Sequence, residues 1–292
     1  MKIRIGTDES VISIAQSRIV SNAIKSVFPD VQTELVNISS ICNKKNEKQC
    51  CIDVLGLAIL DGLCDIIVRN AKDMPVKLVA GTFICAALPR ADKRDVLITR
   101  KSESLPENPI IGANTRRAEG AKKLFLEPII IDVQDDLYLQ LNRVIERKCD
   151  GVIVSAAELE WLDTLKNEYF DSDMIPILTI VPAPCQGIIA IQSQECEIAE
   201  MLHKINDKNT FTCLETERRV IELLNKELLS TTGAFAEIND SRITLTFTKD
   251  QKEIIYNYDS IDNRFKLAEH LVTGAHSSYY SFINSTIFEK WL

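Results

Sequence analysis

No run of about 18 uninterrupted apolar residues, the shortest stretch that reads as a transmembrane helix, occurs in this 292-residue chain. The opening MKIRIGTDES also lacks the apolar core of a secretion signal, so the expected location is the cytoplasm and no membrane partner is expected. There is no CxxC pair, no GxSxG elbow and no P-loop, which removes the usual signatures of dithiol redox enzymes, serine hydrolases and nucleoside-triphosphate hydrolases. Histidine is scarce, at 3 residues, and His203, His270 and His276 stand apart from one another and from the cysteines, so no metal site is expected. Positive charge is not in excess: 34 Lys and Arg against 42 Asp and Glu give a net charge of -8, which opposes binding to nucleic acid. The one dense basic group, Lys44, Lys45 and Lys48, is interleaved with polar residues and reads as a solvated loop.

What is present is an ordinary globular balance, 46% hydrophobic and 26% charged residues, in a length that predicts two or three domains. Cysteine is plentiful, at 9 residues, but Cys64 and Cys85 lie inside apolar runs, where a thiol behaves as a small hydrophobe. KIRIG alternates like a strand, TDES supplies a helix cap, and residues 11–27 carry apolar side chains at helical spacing until Phe28-Pro29-Asp30 ends them. A strand over 32–38 completes a β-α-β opening, the mark of a largely parallel sheet. A helix over 53–61 and an apolar strand over 64–68 come next. The strand gives way to the polar stretch 69–75, where open α/β sheets hold ligands.

The pattern restarts after Arg90. Strands over 109–112, 129–133 and 151–155, with helices over 116–126, 137–148 and 156–166, predict a second α/β unit. The segment IVPAPCQGIIAIQ, residues 180–192, has a Pro-rich entry and a turn at Gln186-Gly187, and reads as a crossing between domains. Beyond it a charged helix over 212–229, alternating strands over 236–238, 243–247 and 254–258, and a helix over 263–273 predict a small α+β module. The expected domains are residues 1–88 with 180–197, residues 92–175, and residues 205–292.

Five segments in this order resemble the porphobilinogen deaminase (hydroxymethylbilane synthase) family. RIGTDESVISIAQ is similar to its RIGTRxSxLALxQ, CDIIVRNAKDMPVKL to D-IAVHSxKDxP, LPRADKRDVLI to REDPRDxxx, and IGANTRRAEGAKKL to GTSSLRRxxQL. CDGVIVSAAELEWL followed by VPAPCQGIIAI is similar to YDAIxLAxAGLxRL followed by LPAPGQGALAI. Ordered co-occurrence of several motifs is far more specific than any one of them. The resemblance implies two periplasmic-binding-protein-like α/β lobes plus a small C-terminal α+β domain. It also implies head-to-tail condensation of four porphobilinogen to hydroxymethylbilane with loss of ammonia, on a dipyrromethane cofactor held by a cysteine.

Carried over by position, the resemblance implies a catalytic role for Asp73 and substrate-binding roles for Lys72, Arg116, Arg117 and Ser10. Arginine suits this work because its planar fork matches a carboxylate, and a carboxylate can stabilise positive charge developing on a pyrrole. On the residues alone, Asp73 equally reads as a loop pin and the arginines as a solvated helix start. The departures are Asp8 in place of an arginine, Gln134 and Gln140 in place of two more, and Trp161 in place of a fourth, with Arg143 or Arg147 as substitutes. Leu228 stands at the family's primer-bearing cysteine, where leucine cannot form a thioether; Cys185 is the alternative thiol, Cys213 lies upstream, and no covalent dipyrromethane is expected. Two functions are open: a tetrapyrrole-pathway enzyme acting on an anionic pyrrole, or a non-catalytic ligand-binding or regulatory protein of the same fold. A monomer is the default assembly.

Overall fold

The computed structural model describes residues 1–38, 53–134, 136–163, 169–224, 226–274 and 281–282. Lys44, Lys45, Lys48, Cys42, Cys50, Cys51 and His276 lie outside the described residues. The chain divides into two compact units, residues 1–91 with 187–214, and residues 92–186 with 215–292.

In the first unit β1 (Lys2–Thr7) leads into α1 (Val11–Val27), whose first turn is capped by the Ser10 hydroxyl accepting from the Ser13 N–H. β2 (Gln32–Asn37) then pairs parallel to β1, Ile5 opposite Leu35. Asp53 caps α2 (Val54–Leu60) by accepting from the Gly56 N–H at 3.1 Å, which satisfies one of the donors a helix start leaves open. The strand expected over 64–68 runs instead over Ile66–Asn70, β3. Its start is set by Asp65, whose carboxylate takes the Arg4 backbone N–H at 2.7 Å and the Arg4 guanidinium at 2.6 Å.

β4 (Phe83–Ala87) ends this stretch, and the chain leaves for the second unit. There β5 (Asp95–Arg100), β6 (Ile110–Ala113), α3 (Thr115–Leu124), β7 (Ile129–Asp132), α4 (Leu137–Ile145), β8 (Gly151–Ser155), α5 (Ala156–Trp161) and β9 (Phe170–Met174) succeed one another. β10 (Ile189–Ser193) returns to the first unit. The first sheet has the order β2-β1-β3-β10-β4 and the second β7-β6-β8-β5-β9. In each, three parallel strands are followed by one antiparallel strand, β10 or β5, and in each that strand is the one the chain enters from the other unit. The same α/β topology is therefore built twice, with the crossing strands exchanged.

Packing reflects sequence character. β5 and β8 are buried almost throughout because both faces are covered. Val96, Ile98, Val152 and Val154 meet Leu141 and Val144 of α4 on one face, while Leu97 and Ile153 meet Ala121 of α3 and Ile180 on the other.

After β10 come α6 (Glu197–Leu202), α7 (Lys208–Leu223) and α8 (Lys226–Leu229), so the long helix expected over 212–229 starts earlier and breaks near residue 224. β11 (Gly233–Asn239), β12 (Arg242–Thr248), β13 (Ile255–Ser260) and β14 (Ser281–Phe282) form an antiparallel sheet in that order, with α9 (Arg264–Thr273) packed on β12 and β13. The fold class is thus two mixed α/β sheets with an appended antiparallel α+β module.

One buried carboxylate ties this module to the crossing segment. Glu217 of α7 is fully buried, and its two oxygens accept from the Cys185 N–H at 2.5 Å and the Ala236 N–H at 2.7 Å. Glu217→Gln keeps the shape but sets an amide N–H against a backbone N–H. A buried donor left without an acceptor costs about 1–3 kcal/mol, so thermal unfolding is expected several degrees lower, by roughly 2–4 °C per kcal/mol, as calorimetry would measure.

Candidate functional site

Thr7 ends β1, and the next three residues turn the chain into α1. Asp8 accepts the Ser10 N–H at 2.8 Å, and Ser10 is committed to its cap, so the side chain where the family carries an arginine serves the turn. Across the sheet β3 ends at Asn70 and passes into a single 3-10 turn, Ala71–Asp73. Lys72 Nζ sits 3.0 and 2.9 Å from the two Asp73 oxygens, while Asp73 stays mostly exposed, at 62% of its side-chain surface. Of the last strand residues, Asn70 is buried and Arg69 half-buried. Arg69 pairs with Asp53, and the side-chain carbonyl oxygen of Asn70, a residue 7% exposed, has no donor among the described residues.

In the second unit β6 ends at Ala113 and Asn114 caps α3 by accepting from the Arg117 N–H at 3.1 Å. The first turn of α3 therefore presents Arg116 and Arg117. Neither is solvated: they are 3% and 7% exposed, and both converge on Asp95, the fully buried first residue of β5. Arg117 reaches Asp95 Oδ1 at 3.0 Å through both Nε and Nη2. Arg116 Nη1 stands 2.9 Å from Asp95 Oδ2, an ion-pair contact that lies off the hydrogen-bond direction. Gln186, from the crossing turn, donates to Asp95 Oδ1 at 3.0 Å and to the Lys93 carbonyl at 2.8 Å, and accepts from Arg116 Nη2 at 3.3 Å.

Burial on its own would raise the Asp95 carboxyl, but Arg116, Arg117 and the Gln186 amide outweigh it and hold the group below the usual carboxylate range. Burial, and the neighbouring Arg117, pull Arg116 below the ordinary guanidinium value. Guanidinium is basic enough that the cluster still carries two cations on one anion. A charge of +1 remains, in a place where the net charge of the whole chain is -8.

The other expected positions are ordinary by comparison. Gln134 is exposed and donates to Asp132 at 3.0 Å, Gln140 is buried on α4, and Trp161 is half-buried at the end of α5. Arg147 is taken up by Glu103, at 2.7 Å. Nothing in the sequence alone marks Asp95 and Gln186 as site residues, though both stand inside the segments LPRADKRDVLI and VPAPCQGIIAI that carry the family likeness.

Residues 3–203 match the model of the family described as porphobilinogen deaminase, dipyromethane cofactor binding domain. The chain belongs to the porphobilinogen deaminase family. It is 30% identical to the porphobilinogen deaminase of Acetivibrio thermocellus over 94% of this chain and 99% of the relative. It is 31% identical to a probable porphobilinogen deaminase of Picrophilus torridus over 92% and 98%. The porphobilinogen deaminase of Rickettsia prowazekii is 29% identical over 82% of this chain and 84% of its own length. Membership assigns the chain to tetrapyrrole biosynthesis. No helix among the described residues is long and apolar enough to cross a membrane.

The family's dipyrromethane needs a thiolate at its attachment point, and among the described residues neither Leu228 nor the buried thiols fit that need. Leu228, in the short helix α8, is 37% exposed and its carbonyl caps the turn by accepting from the Thr231 and Thr232 N–H groups. Cys185 is fully buried at a turn with φ of 66°, and Cys213 is also buried. Burial pushes the Cys64 thiol up to about 11 and the Cys85 thiol up to about 12, so both are held as neutral, packed groups at neutral pH.

Proposed function

We propose that this chain recognises porphobilinogen, or a short chain of linked pyrroles, through Asp73, Lys72, Arg116 and Arg117, and that it carries no covalently attached dipyrromethane. The observation that carries this reading is the Asp95 cluster. Two guanidiniums share one carboxylate, and the surplus charge matches an acetate or propionate side chain, the groups that distinguish porphobilinogen from a neutral pyrrole. Arg117 is the better placed of the two to turn toward such a group, since Arg116 is also held by Val181 and Gln186.

Asp73 supplies the opposite chemistry. Its exposed carboxylate accepts an N–H from a pyrrole or from the aminomethyl group, and stabilises positive charge on the ring as ammonia departs. Lys72 holds that carboxylate in place before substrate arrives. Ser10 has a smaller part, because its hydroxyl already caps α1. The expected division into domains 1–88 with 180–197, 92–175 and 205–292, a monomeric state and a cytoplasmic location belong to the same reading.

Leu228 favours a second outcome for the same ligand, a binding or regulatory protein that retains pyrrole recognition without turnover. Recognition is common to both and is tested first, by calorimetric titration with porphobilinogen. A charge-assisted hydrogen bond contributes about 1.5–3 kcal/mol, so Asp73→Ala is expected to weaken binding by roughly 10- to 100-fold while Arg147→Ala leaves it unchanged. Undetectable binding of porphobilinogen by the unsubstituted chain, or an Asp73→Ala variant that binds as well, rules the reading out.

A further inference from the structure

Three unusual features meet at one backbone carbonyl. The oxygen of Val181, in the crossing segment, accepts from Arg116 Nη1 at 2.8 Å and from Gln251 Nε2 at 3.0 Å, so both of its acceptor directions are used. Gln251 also accepts the Val181 N–H at 2.8 Å, so its side-chain amide pairs with this backbone unit as a neighbouring strand would. Gln251 is fully buried between β12 and β13, and its φ of 63° is a left-handed conformation that a side chain of this size adopts only where the surroundings impose it. Gly233 completes the junction. A Cβ there would stand 2.6 Å from both Gln251 Nε2 and the Val181 oxygen.

We infer that Gln251 is a positioning residue for Arg116, fixing the guanidinium through the shared Val181 carbonyl so that the appended α+β module sets the geometry of the carboxylate-binding pair. The reasoning is local. Arg116 has three anchors, Asp95, Gln186 and Val181, and two of them belong to the crossing segment. The carbonyl is the one that Gln251, from the appended module, also grips. Released from Gln251, the Val181 peptide can rotate, and Arg116 then loses a fixed acceptor beside an anion it must share with Arg117. Pairing of the amide with both the N–H and the C=O of Val181 ties down the peptide units on either side of its Cα, which a single contact would leave freer to turn.

This inference rests on the reading that Arg116 serves pyrrole carboxylates, and its test separates the two. Gln251→Met keeps length and volume but removes both hydrogen bonds; Gln251→Gly removes them while relieving the left-handed backbone, and so guards against a merely unfolded variant. Leu267→Ala, in α9 away from Val181, is the control for lost stability in the module. In ligand-free protein labelled at arginine, exchange of the Arg116 guanidinium protons is expected to quicken in both Gln251 variants and not in Leu267→Ala. Unchanged exchange overturns the positioning role, whether or not the protein binds porphobilinogen. With porphobilinogen, Gln251→Met is expected to weaken binding about 3- to 10-fold, and to lose that effect in an Arg116→Lys background, since coupled residues are non-additive. Equal losses in both backgrounds also overturn it. Quickened exchange in a chain that does not bind porphobilinogen leaves the link standing and rejects the substrate reading alone.

Discussion

Intact mass spectrometry of this chain, purified from a host that makes porphobilinogen, is expected to give the mass of the bare polypeptide, with no increment for two linked pyrroles. Thioether formation needs a thiolate, and the proposed reading puts Leu228 at the position that bears it in the family. Among the described thiols, Cys149, Cys185 and Cys213 are buried, Cys64 and Cys85 are held protonated, and Cys196 alone is partly exposed. A tether keeps the growing chain in the site at an effective concentration near millimolar, and losing such a link weakens retention by about 100- to 10,000-fold. Hydroxymethylbilane formation, followed as uroporphyrin fluorescence after oxidation, is expected to be lower than in a tethered relative by a factor in that range. Leu228→Cys alone is expected to recover little, because on the proposed reading Asp8, Gln134, Gln140 and Trp161 still stand where the family carries arginines. An adduct on the unsubstituted chain, or robust turnover abolished by Asp73→Ala, would show that another side chain anchors the primer.

The largest stability effect is expected at Asp95. Asp95→Asn removes the anion shared by two buried guanidiniums, and breaking a buried ion pair from one side costs about 3–5 kcal/mol. At roughly 2–4 °C per kcal/mol for a domain of this size, the unfolding midpoint should fall by about 6–20 °C. The same carboxylate predicts a pH dependence. Its folded pKa lies below its unfolded value, near 3.9 for an ordinary Asp, so the unfolded chain binds the proton more readily than the folded one. The stability contributed by Asp95 is therefore fully present above about pH 4, the unfolded value, and is lost as pH falls through the lower folded value. Midpoints measured between neutral and acid pH should converge for wild type and Asp95→Asn at the acid end. A constant difference across that range would mean that the charge of Asp95 is not what stabilises the folded state.

Much of the fold can be read along the chain because its signals are local. α1 runs over residues 11–27 as the apolar spacing and the Ser10 cap require, and β8 over 151–155 as its short apolar run requires. β9, FDSDM, gave no such signal. It is an edge strand whose side chains beyond Phe170 face solvent, and only its pairing with β5 makes it a strand. β5 itself, DVLITR, lies in the stretch where the second pattern begins, but it enters its sheet antiparallel, and nothing in its composition states that direction. The expected helix over 212–229 is likewise divided, into α7 and α8, near residue 224, a break that the apolar spacing does not announce.

The candidate site divides along the same line. The order of the motifs established family membership, and the places of Asp73, Arg116 and Arg117 just after strands follow from the sequence, because each of these is a property of residue identity and position in the chain. Only the tertiary structure decided that Arg116 and Arg117 are buried on a shared Asp95, that Gln186 braces them, and that one carbonyl joins Arg116 to Gln251. Asp95 stands 22 residues from Arg117, and Gln251 stands 70 from Val181, so no local periodicity relates them. Their interaction exists because burial makes each polar group seek a partner at whatever separation the packed chain supplies.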